Sequence, residues 1–458
     1  MAQPHSLKYD ETGPSNSPFP AKHSYHPSMK ILILGATGFI GSAILMRLAT
    51  EGHAVTGLAR NITHAREKWP AVEWRKGDLA GMTAPADWQS LMIAHDAIVN
   101  CAGALQDGLS DNLAATQQQA MLALYDAAAS TGGRLIVQIS AQTTGNASTL
   151  PFLKTKRHAD EALAASTLPH VILRPALVIG RNAHGGTALL RALAALPFIV
   201  PLIHAHNPVK IVALDDVAKA VSMAINGEIP SSSDIDLAAG ENHTLETLVQ
   251  LHRHWLGLPA ARTVTVPPAL ARPVTWAADL AGQLGWRSPL RSTAMSVMSE
   301  GVGTESAAAR QIDGLRLKTA HQTLDAQPSG IQDLWFARLY LLKPAIILIL
   351  SLFWLLSGLI PLLAPTRAAV HFSPFIPETA ALALTLASCA LDVLLGLSVL
   401  VRPFAAKALI GMLITTAGYL TGGTLLEPGL WLDPLGPLVK TLPSAMLALV
   451  ALAILKER

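Results

Sequence analysis

Residues 35–41 read Gly35-Ala36-Thr37-Gly38-Phe39-Ile40-Gly41. Glycine at the first of these positions permits a tight turn. The second lets backbone approach a pyrophosphate, and the third lets a helix pack closely on a strand. The run is preceded by KILIL and followed by a helix-length stretch from Ser42, so the free N–H groups of a helix N-terminus would face the phosphates. Roughly twenty residues further on, where a carboxylate would accept a ribose 2′-hydroxyl, the next strand ends Gly57-Leu58-Ala59-Arg60. A guanidinium suits a 2′-phosphate through charge-assisted, often bidentate hydrogen bonds. NADP(H) is therefore expected in preference to NAD(H); the alternative is a solvated arginine at a strand end. The pairs His204/His206 and His252/His254 have a spacing that suits one face of a strand. Neither has a carboxylate or cysteine close by in sequence, and no metal is expected.

These residues need elements to hold them. Short apolar runs at KILILG, HAVTGLAR, VEWRKG, DAIVNCAG, GRLIVQIS and HVILRP alternate with helix-length segments, including 111–130 and 154–166. That alternation predicts βαβ units and a doubly wound, Rossmann-like parallel sheet of the α/β class. The unbroken apolar character of ILIL, AIV and LIV predicts strands covered on both faces.

Of 458 residues, 51% are apolar and 14% charged, and the net charge is +3. Wholesale disorder is excluded by that hydrophobicity, and the balance lacks the concentrated basic footprint of a nucleic-acid binder. The two cysteines, Cys101 and Cys389, lie far apart, which leaves no disulfide framework and fits a reducing compartment. The charge deficit concentrates in 341–458, where an all-α four-helix transmembrane domain is expected, with spans near 344–363, 379–401, 404–420 and 434–455. The first span has no ionisable residue over 20 positions, enough for a helix of ~30 Å, the thickness of a hydrocarbon core. Asp392 falls midway along the second. It is either a polar site for a headgroup or proton or a structural hydrogen bond to Thr415 or Thr416, with Lys440 a further partner. Trp335, Phe336, Arg338, Tyr340 and Lys343 fit an interfacial anchor at the end of a linker over 301–340; core packing would also explain the aromatics. Lysine and arginine gather at Arg338, Lys343, Arg402, Lys407, Lys456 and Arg458, with Arg367 alone on the other side. An integral membrane protein follows, its head and both termini cytoplasmic. Residues 1–28, rich in Pro, Ser and His, are expected to be a disordered extension, with Met29 an alternative start. The sequons at Asn61, Asn146 and Asn242 would not meet glycosylation machinery in the cytosol.

Taken together, GATGFIG, the KGDL containing Asp78 and Leu79, NCAG, QISA with Ser140, LRP and VALDDVAKAV resemble the atypical or extended short-chain dehydrogenase/reductases over 29–300. The resemblance implies that Asp78 and Leu79 lie near the adenine and that Cys101, Ala102 and Gly103 line the cofactor. It implies also that 176–210 and 240–291 shape a substrate cleft. The family's catalytic pattern is Ser followed by Tyr-x-x-x-Lys, in which the phenol exchanges a proton with the substrate, the lysine lowers its pKa and holds the ribose, and the serine orients the carbonyl. Ser140 and Lys156 match; the tyrosine position holds Phe152. Tyr125, in the preceding helix, does not restore the motif. FWLLSG, DVLLGLSVL and EPGLWLDPLGPLVKTLP resemble the DoxX-like membrane domain over 341–456.

The expectation is a membrane-attached oxidoreductase that passes hydride to a lipophilic acceptor such as a quinone or isoprenoid, with membrane lipid as its other partner. Its oligomeric state stays open. The rival is a nucleotide-binding regulatory or assembly module without turnover, which Phe152 favours.

Overall fold

The computed structural model describes residues 27–103, 112–142, 149–302, 309, 312–370, 372–434 and 436–456. Nearly all of the expected N-terminal extension, together with Asn146 and Arg458, lies outside the described residues.

Seven parallel strands form the central sheet of the head. Its order is Ser233–Leu237, β6 (His170–Pro175), β5 (Leu135–Ile139), β4 (Ala97–Asn100), β1 (Lys30–Leu34), β2 (Ala54–Ala59) and β3 (Glu73–Lys76). Alternation along β1 shows why the strands are apolar throughout. Ile31 and Ile33 enter a core with Ile44, Leu45 and Leu48 of the helix α1 (Phe39–Thr50) and Val217 and Val221 of the helix Leu214–Ile225. Leu32 and Leu34 enter the opposite core, with Leu124 of Ala120–Ser130 and Leu163 of Pro151–Ala165. Both faces of a parallel sheet are dry, so both residue sets must be apolar. A third core joins the helices Gly186–Ala194 and Leu245–Trp255.

The described residues of the segment 301–340 pack onto the head, where a free linker is expected from the sequence. Ala309 and Leu315 belong to the first core, and Ala320, Leu324 and Ala337 to the third. Carboxylates of the head hold its backbone: Lys318 N–H donates to Asp216 at 2.6 Å, and Ala320 N–H donates to Glu241 at 2.9 Å. The interfacial aromatics are not a separate element either, because one helix, Ile331–Leu362, runs from them through the first apolar run. In its first turn Asp333 accepts from Gly330 N–H at 2.8 Å and from Arg181 at 2.5 Å, with the buried Arg191 at 3.6 Å.

Among the described residues, three helices are long and apolar enough to cross a membrane: Ile331–Leu362, Glu378–Ser398 and Arg402–Leu426. The segment expected to span at 434–455 yields a helix of 14 residues, Thr441–Ile454, about 21 Å long. Pro434, Gly436 and Pro437 explain the shortfall, since proline lacks the N–H and clashes within a helix. Leu455 carbonyl, after this helix, accepts from Lys343 Nζ at 3.2 Å and from Arg402 Nη2 at 3.0 Å.

Helix contact in this bundle depends on missing side chains. A Cβ on Gly358 would lie 2.6 Å from Cys389 carbonyl oxygen and 3.0 Å from Val393 nitrogen; one on Gly396 would lie 3.0 Å from Leu355 nitrogen. Ser351 Oγ donates to Gly396 carbonyl at 2.7 Å. The buried Asp392 accepts from Ser357 Oγ at 2.9 Å and from Tyr419 Oη at 2.8 Å. Those two are its partners, and not Thr415, Thr416 or Lys440. The Thr416 hydroxyl donates within its own helix, to Met412 carbonyl at 2.7 Å. The partners lie on the first and third membrane helices, so the carboxyl ties three helices together.

Candidate functional site

The turn after β1 is built around what glycine omits. Gly35 has φ +70°, and a Cβ there would sit 2.9 Å from the backbone of Cys101 and Ala102. A Cβ on Gly41 would lie 2.2 Å from Gly35 carbonyl oxygen, so α1 can approach β1 only without one. Gly38 precedes α1 and contributes no side-chain cap; the first N–H groups of that helix thus remain for an anion, at the positive end of its dipole. Ala36 is buried, Thr37 is exposed, and Phe39 and Ile40 are half-buried. This cradle fits the pyrophosphate of a dinucleotide.

The other expected cofactor residues gather at the same edge of the sheet. Arg60 is exposed just past β2. Asp78, past β3, accepts from Ala80 N–H at 3.3 Å, and Leu79 packs against the second core. Cys101 N–H donates to Leu34 carbonyl at 3.0 Å, and Ala102 N–H to Asn100 Oδ1 at 3.0 Å. Strand order reverses between β1 and β4, which opens the crevice where doubly wound sheets bind ligands.

On the far side of that crevice, Lys156 Nζ donates to Ile139 carbonyl at 3.1 Å. A Cβ on Gly103 would lie 3.4 Å from the same ammonium. Burial pushes the Lys156 pKa down, against the opposing charges of Asp160 and Cys101. The Cys101 thiol is pushed up to about 12 by burial, with Lys156 acting the other way. Phe152, one helical turn before Lys156, is 5% exposed and packs with Leu113 and Leu153, against which Val297 also lies.

Sequence reading missed Asp160. One turn after Lys156 on the same helix, it accepts from Ser140 Oγ at 2.5 Å and from Arg174 Nη2 at 3.1 Å. Arg174 also pairs with Asp234 on the neighbouring strand. The available signals were the Lys-x-x-x-Asp spacing, which stacks two side chains on one helix face, and the arginine in LRP. Burial raises the Asp160 pKa, while Ser140, Arg174 and Lys156 oppose the rise. Tyr125 is buried in the second core; its hydroxyl has no hydrogen-bond partner among the described residues. Burial and the nearby Asp160 charge both drive its pKa upward.

The histidine pairs do not share strand faces. His204 and His206 lie in a bend and turn, with His206 3.6 Å from Glu246. His252 and His254 occupy the helix Leu245–Trp255, where a two-residue step turns about 200°. His252 is buried, its pKa lowered to about 4 by that burial, and its Nδ1 lies 2.8 Å from Leu248 carbonyl oxygen. Among the described residues no three His, Cys, Asp or Glu side chains gather as a metal site.

Comparison with known proteins agrees with this division. Residues 35–194 match the NAD(P)H-binding family, and residues 351–450 match the DoxX-like family. An uncharacterized protein of Mycobacterium tuberculosis is 28% identical over 242 residues, 52% of this chain. The chain spans only 25% of that relative's length. Ceramide reductase of Caulobacter vibrioides is 24% identical over 189 residues, covering 41% of this chain and 58% of that protein. The Citrobacter sp. triphenylmethane reductase complexed with NADP(H) has the same fold, with a TM-score of 0.51 at 18% identity, covering 65% of this chain and 99% of that one.

Asp160 has a pH signature. Its folded pKa is raised, so the stability it contributes is full below its unfolded value of about 3.8 and is lost as pH rises through the folded value. Asp160→Asn lacks this loss. Its melting temperature relative to the unmutated chain should therefore rise as pH increases above about 4. A difference that stays flat, or falls, across a thermal-unfolding series in nanodiscs would contradict the assignment.

Proposed function

We propose that this chain, which joins an NAD(P)H-binding head to a DoxX-like membrane domain, is a membrane-attached oxidoreductase that passes hydride to a lipophilic acceptor such as a quinone or isoprenoid. One observation carries the reading. Ser140 and Lys156 are retained beside the glycine cradle, while a buried phenyl ring, Phe152, stands one turn before Lys156. The likeness to a ceramide reductase supports a lipid-like acceptor.

A bound NADP(H) supplies the hydride. The N-terminus of α1 would hold its pyrophosphate, Lys156 its ribose and Arg60 a 2′-phosphate, while Ser140 would position the acceptor. Phe152 has no proton to give. Reduction of a carbonyl to an alcohol needs a proton at the developing alkoxide, and a positioned acid there is worth ~10²–10⁴-fold. A quinone spreads the arriving charge over its ring, so water or Lys156 can complete protonation afterwards. Such acceptors tolerate a phenyl ring at this position where simple ketones do not.

We further propose four crossings, with the head and both termini cytoplasmic and the short helix Thr441–Ile454 making the last. The bonds from Lys343 and Arg402 to Leu455 carbonyl support this reading. They join the start of the first apolar run, the start of the third and the end of the fourth on one side of the bundle. The gathering of lysine and arginine on that side agrees with the positive-inside rule.

Three measurements test these readings. NADPH should bind more tightly than NADH, and Arg60→Ala should weaken NADPH by about tenfold to hundredfold while leaving NADH nearly unchanged; equal affinities in the unmutated protein contradict the cofactor choice. NADPH oxidation in membranes should proceed with a quinone analogue and fail with a panel of ketones, and Phe152→Tyr should gain ketone activity. Robust ketone reduction by the unmutated protein would overturn the mechanism, and binding without turnover on any acceptor would favour a regulatory module. A reporter that matures only outside the cytoplasm, fused after the last residue, should stay silent; a signal from it rules out the even number of crossings.

A further inference from the structure

The helix Pro268–Gln283 has its side chains reversed for an element that faces water. Ala271, Ala278 and Gly282 are buried, while Leu270, Val274, Trp276 and Leu280 are 70%, 53%, 70% and 44% exposed. At about 100° per residue these four large apolar side chains share one half of the helix. The small buried residues seat it on the protein, and Arg272 and Asp279 lie on the flank between. The first membrane helix likewise exposes one apolar face, with Leu348, Leu352 and Leu359 turned outward, although its buried face holds Ile347, Leu350 and Trp354 as well as Ser351 and Gly358.

Contacts just past the C-terminus of this helix fix its level. Trp286 Nε1 donates to Leu400 carbonyl at 2.6 Å, and Arg402 N–H donates to Leu284 carbonyl at 2.9 Å. The guanidinium of Arg402 and the ammonium of Lys343 lie 5.4 Å and 5.9 Å from the Trp286 ring. Arg402 opens one membrane helix, and Lys343 immediately precedes the first apolar run. The C-terminal end of Pro268–Gln283 is thus pinned where the apolar helices begin, with a tryptophan and two cations of the kind enriched at membrane boundaries.

We propose that Pro268–Gln283 lies in the plane of the bilayer on the head's side, its apolar face sunk about 5–10 Å into the headgroup–acyl boundary. A lipid surface is the occupant that the geometry favours over a second copy of the chain. The membrane domain already holds the patch at the bilayer, so docking there is intramolecular and acts at high effective concentration. Between this helix and the next, Ser292–Glu300, runs an open groove of about 360 Å³ lined by Arg272, Thr275, Trp276, Met295 and Ser296. Val297 of that second helix packs against the Phe152 cluster. On the oxidoreductase reading, on which this one step rests, the groove seats a lipophilic acceptor at the bilayer beside the helix that packs on the Phe152 cluster.

The test uses the full chain in nanodiscs, with bimane attached at Val274→Cys or at Arg272→Cys and the unmutated chain labelled in parallel to measure reaction at Cys101 and Cys389. The label at 274 should lose most of its fluorescence to lipids brominated near the headgroup end of the acyl chain and be shielded from aqueous iodide. The label at 272, on the polar flank, should show the reverse. Equal iodide quenching at both sites, with no lipid quenching at 274, overturns the proposal. So does shielding at 274 without lipid quenching that disappears in nanodiscs holding a single chain, since a second copy would then be the cover. Lipid quenching at 274 in a protein that turns over no acceptor supports the docking and counts against the oxidoreductase reading alone.

Discussion

Asp333 ties the start of the first membrane helix to the head. It sits in the first turn of the helix that becomes the first membrane crossing, and it accepts from Arg181 and Gly330 while Arg191 stands close behind. Arg191 is 3% exposed, donates to Gly180 carbonyl at 2.6 Å and lies 4.5 Å from the Trp255 ring. Burial lowers its pKa to about 10, with the Asp333 charge opposing the fall, so it stays charged at neutral pH. A buried cation without its carboxylate would carry a large uncompensated desolvation cost. The helix start and the loop at Gly180 must therefore stay together. That loop is in turn close to the glycine turn: a Cβ on Gly180 would lie 3.3 Å from the Phe39 ring, and His184 lies 6.0 Å from the same ring.

Two kinds of physics meet in the crevice. The glycine side is shaped by absence, since Gly35 and Gly41 leave room for backbone to approach backbone and for a helix end to face an anion. The other side is shaped by buried charge. Ser140 and Arg174 both donate to one carboxylate oxygen of Asp160, and Lys156 donates to Ile139 carbonyl; these bonds offset part of the cost of burying the groups away from water. Phe152 belongs to neither. It packs with Leu113 and Leu153 as a core residue, and its phenyl ring brings no exchangeable proton to the crevice.

Small residues recur wherever this protein meets itself within or beside the bilayer. Gly358 and Gly396 let two helices touch, and Ala271 and Ala278 lie on the buried side of a third, while a core that includes Ile347, Leu350, Trp354 and Leu409 fills the bundle between them. Lipid is as apolar as leucine, so close packing and hydrogen bonds, more than burial of large side chains, hold such helices together. Asp392, bonded to Ser357 and Tyr419, adds the polar contribution to that packing.

Local patterns were legible in the sequence because they are local. Apolar strands alternating with helix-length segments, three glycines between a strand and a helix, and apolar runs long enough for a bilayer each depend on neighbours in the chain, and each reappears in the fold. The short last helix was legible in principle as well, from Pro434 and Gly436. Contacts between distant segments were not. Nothing near Asp160 in sequence shows that Ser140 and Arg174 will reach it, nothing near Asp333 points to Arg181, and the partners of Asp392 come from two other helices. Hydrophobic periodicity says which face of an element is buried but not what it is buried against. Pairing of buried polar groups is set by which elements the tertiary structure brings within about 3 Å of one another, and only the folded chain decides that.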